Sequence, residues 1–103
     1  MSIATIDIQP RVAQVTFTDD KLSVTIADGR VVQVPLEWYP RLLHASALER
    51  KGWRIFEDSD GRDIIFWEHL DELIPAIALL AGVPSRESTR SIERWLTSRT
   101  AAH

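Results

Sequence analysis

The chain has 103 residues, no cysteine and a formal net charge of −3, with 45% apolar and 26% charged side chains. That length allows one core burying roughly 65% of the surface exposed when unfolded, and the composition is globular rather than disordered. The missing cysteines exclude disulfides, thiolate metal sites and cysteine nucleophiles together. The longest apolar run, residues 77–83, falls far short of the roughly 20 residues needed to span a bilayer. Residues 1–10 lack a basic start followed by an apolar stretch, so no secretory signal is expected and a cytoplasmic, bacterial-style protein is.

Charge is unevenly divided. Residues 1–83 carry 8 basic and 13 acidic side chains, whereas the remainder sets Arg86, Arg90, Arg94 and Arg99 against Glu87 and Glu93. The acidic body argues against bulk attraction to nucleic acid, and the basic end leaves a local one open.

Residues 1–10 alternate weakly and end at Pro10, as an arm or a short edge strand would. Beyond them Ala13, Val15 and Phe17, then Leu22, Val24 and Ile26, then Val32 and Val34 recur with period two, the mark of strands with one buried face. A turn at Asp19-Asp20 pairs Phe17 with Leu22, Val15 with Val24 and Ala13 with Ile26, keeping all six on one face. At the next turn, a two-residue Asp28-Gly29 loop would split the apolar set. A three-residue loop, Ala27-Asp28-Gly29 with Gly29 left-handed, pairs Val24 with Val32 and Leu22 with Val34, and is the expected form.

After Pro35 the period changes. Pro40 suits the first turn of a short helix through His44. Ser46-Ala47-Leu48-Glu49 is a capping box, predicting a second helix from Ala47 to near Gly52. Two β-rich runs, Trp53–Glu57 and Asp63–Trp67, flank a turn-like Asp58-Ser59-Asp60-Gly61-Arg62 and form a second hairpin. Residues 73–81 are apolar nearly all round, which predicts a deeply buried helix closed by Gly82, with Pro75 near its start. Ser85 is the expected N-cap of a last amphipathic helix with Glu87 in its first turn, Ile92, Trp95 and Leu96 on one side and Arg86, Arg90 and Arg94 on the other. Its tail from Thr100 is expected to fray. The fold class is therefore α+β in one domain: a three-stranded antiparallel meander, two short helices, a second hairpin and two C-terminal helices packed on the sheet.

The block Asp28-Gly29-Arg30-Val31-Val32-Gln33-Val34-Pro35-Leu36-Glu37-Trp38-Tyr39-Pro40-Arg41-Leu42 resembles the centre of an uncharacterised bacterial family, domain of unknown function 2442. Glu49-Arg50 before Trp53-Arg54, then Trp67, Leu70-Asp71-Glu72 and Leu79-Leu80-Ala81-Gly82 extend the likeness over roughly residues 12–83. The family usually has a proline and an acidic run ending in isoleucine after Trp67, where this chain has Glu68-His69 and then Leu73-Ile74. The resemblance implies a small α+β fold and no established activity, cofactor or catalytic residue. It also implies a setting: members often stand beside a second small protein, in an arrangement similar to toxin–antitoxin pairs, and some relatives add a helix-turn-helix domain.

No nucleophile–base pair or glycine-rich phosphate loop is legible, so no enzyme, cofactor or metal is expected. His44, His69 and His103 stand apart; only His69 has acidic neighbours (Glu68, Asp71 and Glu72), and a polar loop leading into a helix accounts for them better than a metal site does. Trp53 and Trp67 read as core. Trp38, Tyr39 and Arg41, at the strand-to-helix corner, are candidates for partner binding, as is Trp95, which either docks the last helix or packs it on another subunit. Arg86, Arg90 and Arg94 are the nucleic-acid candidates. The leading expectation is a non-enzymatic interaction module whose partner is another small protein or a second copy, with a nucleic-acid-binding regulator as the alternative and no membrane partner.

Overall fold

A computed structural model describes residues 9–101, with the side chains of 9–100. Most of the expected N-terminal arm or edge strand, and His103, lie outside these residues. Three strands open the chain: β1 (Val12–Phe17), β2 (Lys21–Ile26) and β3 (Val31–Pro35), antiparallel in the order β1-β2-β3. Phe17 faces Leu22, Val15 faces Val24, Val24 faces Val32 and Leu22 faces Val34, as the alternation requires. Gly29 adopts φ +99° in the three-residue loop, and the Ile26 N–H donates to the Arg30 carbonyl at 2.8 Å.

One pairing departs from expectation. Ile26 faces Val12, not Ala13, because β1 bulges between Val12 and Gln14. The bulge has a visible cause. Asp63, buried at the start of a later strand, accepts the Val12 N–H and the Arg11 guanidinium, each at 2.9 Å. Turning Val12 toward this carboxylate half-buries its side chain and leaves Ala13 exposed.

A 3-10 turn, Leu36–Trp38, leads to α1 (Pro40–Leu43) and α2 (Ala47–Arg50). The capping box is present: the Ser46 hydroxyl accepts the Glu49 N–H at 3.1 Å and Glu49 accepts the Ser46 N–H at 2.9 Å. Strands β4 (Trp53–Glu57) and β5 (Asp63–Trp67) then form the expected hairpin, followed by a 3-10 turn at Glu68–Leu70.

The next segment overturns the reading of residues 73–81 as one buried helix. Glu72–Pro75 is strand β6, paired with β5, and only Ala76–Ala81 is helical (α3). Proline explains the switch: it biases Ile74 toward extended backbone and, lacking an N–H, serves at ψ 134° as the residue that opens α3. Asp71, left-handed at φ 51°, turns the chain into β6. α3 buries Ala76 and Leu79 but leaves Ile77 exposed, so it is not deeply buried all round. Its Gly82 cap, at φ 72°, is as expected.

The last helix, α4, runs Thr89–Ala101, three residues later than a Ser85 cap implies. Ser85 is engaged elsewhere: its N–H donates to the Trp38 carbonyl at 3.0 Å and its hydroxyl accepts the Glu87 N–H at 3.1 Å. Ser88 caps instead, accepting the Ser91 N–H at 3.0 Å. Arg86 therefore lies outside the helix, and the expected row of three arginines reduces to Arg90 and Arg94. Thr100 and Ala101 remain helical rather than frayed, with the Thr100 hydroxyl donating to the Leu96 carbonyl at 3.1 Å.

Both sheets contribute their inner faces to one core. Val15, Leu22, Val24, Ile26 and Val34 of the first meet Ile65, Trp67 and Ile74 of the second, with Leu36, Tyr39, Leu42, Leu70 and Leu79 completing the cluster. Phe17 and Trp67 meet edge to face at 6.3 Å, and the Trp67 indole N–H donates to the Arg50 carbonyl at 3.0 Å, satisfying the end of α2 from the core. The outer faces differ. On the first sheet, Gln14, Thr16, Ser23, Thr25 and Gln33 alternate onto the outer face with the exposed Val31 opposite Thr25, and Ser23 is buried there. On the second, the register sets Arg54, Phe66 and Leu73 in one row and Phe56, Ile64 and Pro75 in the next.

Candidate functional site

Two places carry the exposed or ionisable features with functional meaning: the corner at residues 38–41 under the C-terminal segment, and the outer face of β4-β5-β6. At the corner, Pro35 and Pro40 fix the backbone on either side of Trp38-Tyr39. The Tyr39 ring is buried in the core and its hydroxyl donates to the Val83 carbonyl at 3.1 Å. Burial, with a smaller contribution from Glu72, pushes the phenol up to about 12. Trp38 is half-buried against the core.

Arg41 converts this corner into a clamp. Its Nε reaches both Glu87 oxygens at 3.0 Å, its Nη2 reaches Glu87 Oε2 at 2.7 Å, and its Nη1 donates to the Leu70 carbonyl at 3.1 Å. The Ser91 hydroxyl donates to the same Glu87 at 2.7 Å, and the guanidinium holds this carboxyl below its ordinary range. Trp95 lies between two cations, with Arg41 5.2 Å and Arg99 4.5 Å from its ring centre. Arg99 in turn forks onto Glu49 at 2.8 and 3.0 Å. That pairing, reinforced by the Ser46 N–H, draws the Glu49 carboxyl down to about 2.

Beside the clamp stands a carboxyl that sequence reading passed over as part of a polar loop. Glu72, opposite Trp67 on β6, borders an open cleft of ≈ 320 Å³ shared with Arg41, Asp71, Ser85, Glu87 and Ser91. Burial pushes it up to about 7, and the charge of Glu87 adds to the rise while Arg41 opposes it. Such a carboxyl could exchange a proton near neutrality. The donors of Arg41 are already committed to Glu87 and backbone carbonyls, and no nucleophile hydrogen-bonds to Glu72 among the described residues. A sequence signal for this group was available only in hindsight: alternation of Glu72 with Ile74 along a strand places both on the inner face.

The structure thus engages the side chains of three of the four partner-binding candidates with the chain's own end, and holds Trp38 there by its carbonyl. Tyr39 is enclosed, Arg41 is saturated, and Trp95 is held between guanidinium groups. His44 and His69 are exposed and apart, and no group of three His, Asp or Glu among the described residues is arranged to hold a metal ion. Arg86, Arg90 and Arg94 are exposed, with no carboxylate partner among those residues.

The second place was not singled out from sequence. Phe56 is 44% and Leu73 51% exposed on the outer face of the second sheet. Phe66 packs edge to face on Phe56 at 6.2 Å, and Ile64 of the same face is buried. Residues 53–57 and 63–67 are legible as β-rich runs, but the face also needs β6, which brings Leu73 beside Phe66 where the sequence pattern predicts helix.

The sequence over residues 12–85 matches the family described as "Protein of unknown function (DUF2442)". The chain belongs to that family. The DUF2442 block contains Tyr39, Arg41, Glu49 and Glu72, whereas Glu87, Trp95 and Arg99, which close the clamp, lie beyond it. A crystal structure of a protein of unknown function from Rhodospirillum rubrum ATCC 11170 is similar at 21% identity and TM-score 0.59, covering 78% of this DUF2442 chain and 95% of that one. At such identity the likeness shows the fold alone. No curated protein matches. No helix among the described residues is long and apolar enough to cross a membrane.

Proposed function

We propose that the chain is a non-catalytic interaction module, the small partner in a regulatory or toxin–antitoxin-like pair, and that it meets a second protein on the outer face of β4-β5-β6. The supporting observation is the apolar character of that face. A solvated sheet face should be largely polar, as on the first sheet apart from Val31, yet Phe56, Phe66 and Leu73 form a contiguous patch at register positions where water-facing residues belong. Aromatic side chains at the centre of such a patch are the usual anchors of an interface. Arg54, beside Phe66 in the same row, would supply a polar contact at its rim.

The test is capture of partners by the tagged chain, with and without nuclease, against a Phe56→Ser, Leu73→Ser variant. A stoichiometric protein that survives nuclease and is lost with the variant supports the proposal. Retention of the same protein by the folded variant refutes it. One observation favours a second reading: Arg86, Arg90 and Arg94 are exposed and have no carboxylate partner among the described residues, while Arg41 and Arg99 are paired. Capture of nucleic acid alone, abolished by Arg90→Glu, Arg94→Glu, would install that reading instead.

A further inference from the structure

A cleft of ≈ 440 Å³ runs along β1, with Val15 to Asp19 on one wall and Arg50, Lys51 and Trp53 on the other. Its volume falls within the range of sites that enclose small ligands, about 300–1,000 Å³. Strand chemistry says what could lie in it. The Ile26 N–H donates to the Arg30 carbonyl on the side of β3, so alternation along β2 turns Leu22 and Val24 to β3 and Ser23 and Thr25 to β1. On β1, Thr16 and Gln14 then bond to β2, while Val15 and Phe17 direct their N–H and C=O groups away from it. Among the described residues β1 is the edge of its sheet and no strand pairs with it on that side. Because Val15 is only 4% exposed, a segment must enter the cleft to reach it. An unpaired edge along a cleft is a template for another strand.

The opposite wall adds selectivity. The Arg50 guanidinium donates to the carbonyls of Leu42 and Leu43 at 2.9 and 3.0 Å and lies 5.7 Å from the Phe17 ring centre, so neutral groups hold it and no carboxylate among the described residues pairs with it. Lys51 is exposed and forms no ion pair among the described residues. Trp53 and Phe17 supply apolar surface between these cations and the strand edge. Asp19, on the wall at the hairpin tip, disfavours a second negative charge nearby.

We infer that the open edge of β1 accepts an extended peptide segment of a partner, about four residues long, with alternating apolar side chains and one carboxylate placed at Arg50 and Lys51. This surface is separate from the outer face of the second sheet and does not depend on it. The experiment selects a displayed library of random nonapeptides against the full chain, then synthesises the enriched sequences. Expected are peptides with period-two apolar positions and a single Asp or Glu. Their binding should weaken at least fivefold with Lys51→Glu and stay unchanged with Phe56→Ser, Leu73→Ser. N-methylation at one alternate set of peptide positions should abolish it while the other set is tolerated, and the Val15 and Phe17 amides should carry the largest chemical-shift changes. Enrichment of nothing, indifference to N-methylation and to Lys51→Glu, or loss of binding with the Phe56→Ser, Leu73→Ser variant would each overturn the inference. The last outcome would move the peptides to the apolar face.

Discussion

Glu72→Gln should remove a pH dependence that the wild-type chain carries between mildly acidic and neutral conditions. In the folded chain Glu72 keeps its proton up to about 7, against an ordinary 4.5, because it is buried beside Glu87, with Asp71 adding to the effect and Arg41 opposing it. Across that interval the folded state binds more protons than the unfolded state, so stability falls as pH rises and the loss is complete above about 7. At ~1.4 kcal/mol for each pH unit the interval sets an upper bound of ~3 kcal/mol. Solvent contact along the open cleft screens this to ~2 kcal/mol. Glutamine resembles the protonated form, so the variant should match wild type near pH 4.5 and exceed it by ~2 kcal/mol at pH 8. Urea denaturation at pH 4.5, 6, 7 and 8 reads the difference, and every other titrating group is common to both proteins. Parallel curves, or a variant weaker than wild type at pH 8, would refute the placement of Glu72 as a buried, charge-crowded carboxyl.

Trp95→Ala removes two cation–π contacts of roughly 0.5–1 kcal/mol each, so hydrogen exchange across α4 should accelerate several-fold while the strands of both sheets keep their protection. Arg99→Ala should cost about 0.5–1 kcal/mol at low salt and less at high salt, as chemical denaturation at two ionic strengths would show. It should also flatten the acid limb: Glu49 lies down at about 2, so its contribution is present above about 4.5 and lost as pH falls toward 2. Gly29→Ala should destabilise by about 1 kcal/mol without changing the denaturant slope, because φ +99° strains any Cβ although nothing lies within 4 Å of one there.

The first sheet was legible because its signals agree. Period two, a left-handed glycine and the one-residue rule on register point to the same pairing of Leu22, Val24, Val32 and Val34. The capping box was legible for a similar reason, since Ser46 and Glu49 satisfy each other within four residues. Errors arose where a distant group decided a local one. Asp63 sets the bulge at Val12 from 51 residues away, which no window of β1 reveals. Residues 73–81 are apolar without a clear period, so Pro75 was the one cue that extended backbone precedes the helix, and it was read as a tolerated first-turn proline. Ser85 looked like a cap, but its N–H was taken by Trp38, again a contact across the chain. For the candidate site, sequence pointed to Trp38, Tyr39, Arg41 and Trp95 as unusual, but could not show that the last helix folds back onto Arg41. The exposed face of Phe56, Phe66 and Leu73 stayed hidden because it needs β6 as a strand.

Side-chain oxidation footprinting of the captured complex reads whether a partner protein covers the outer face of the second sheet. In the free chain Phe56 and Leu73 are exposed and should be oxidised readily. The account predicts that partner binding lowers oxidation of Phe56, Phe66 and Leu73 several-fold while the outward side chains of the first sheet are unaffected. Unchanged oxidation of all three in a saturated complex would contradict it.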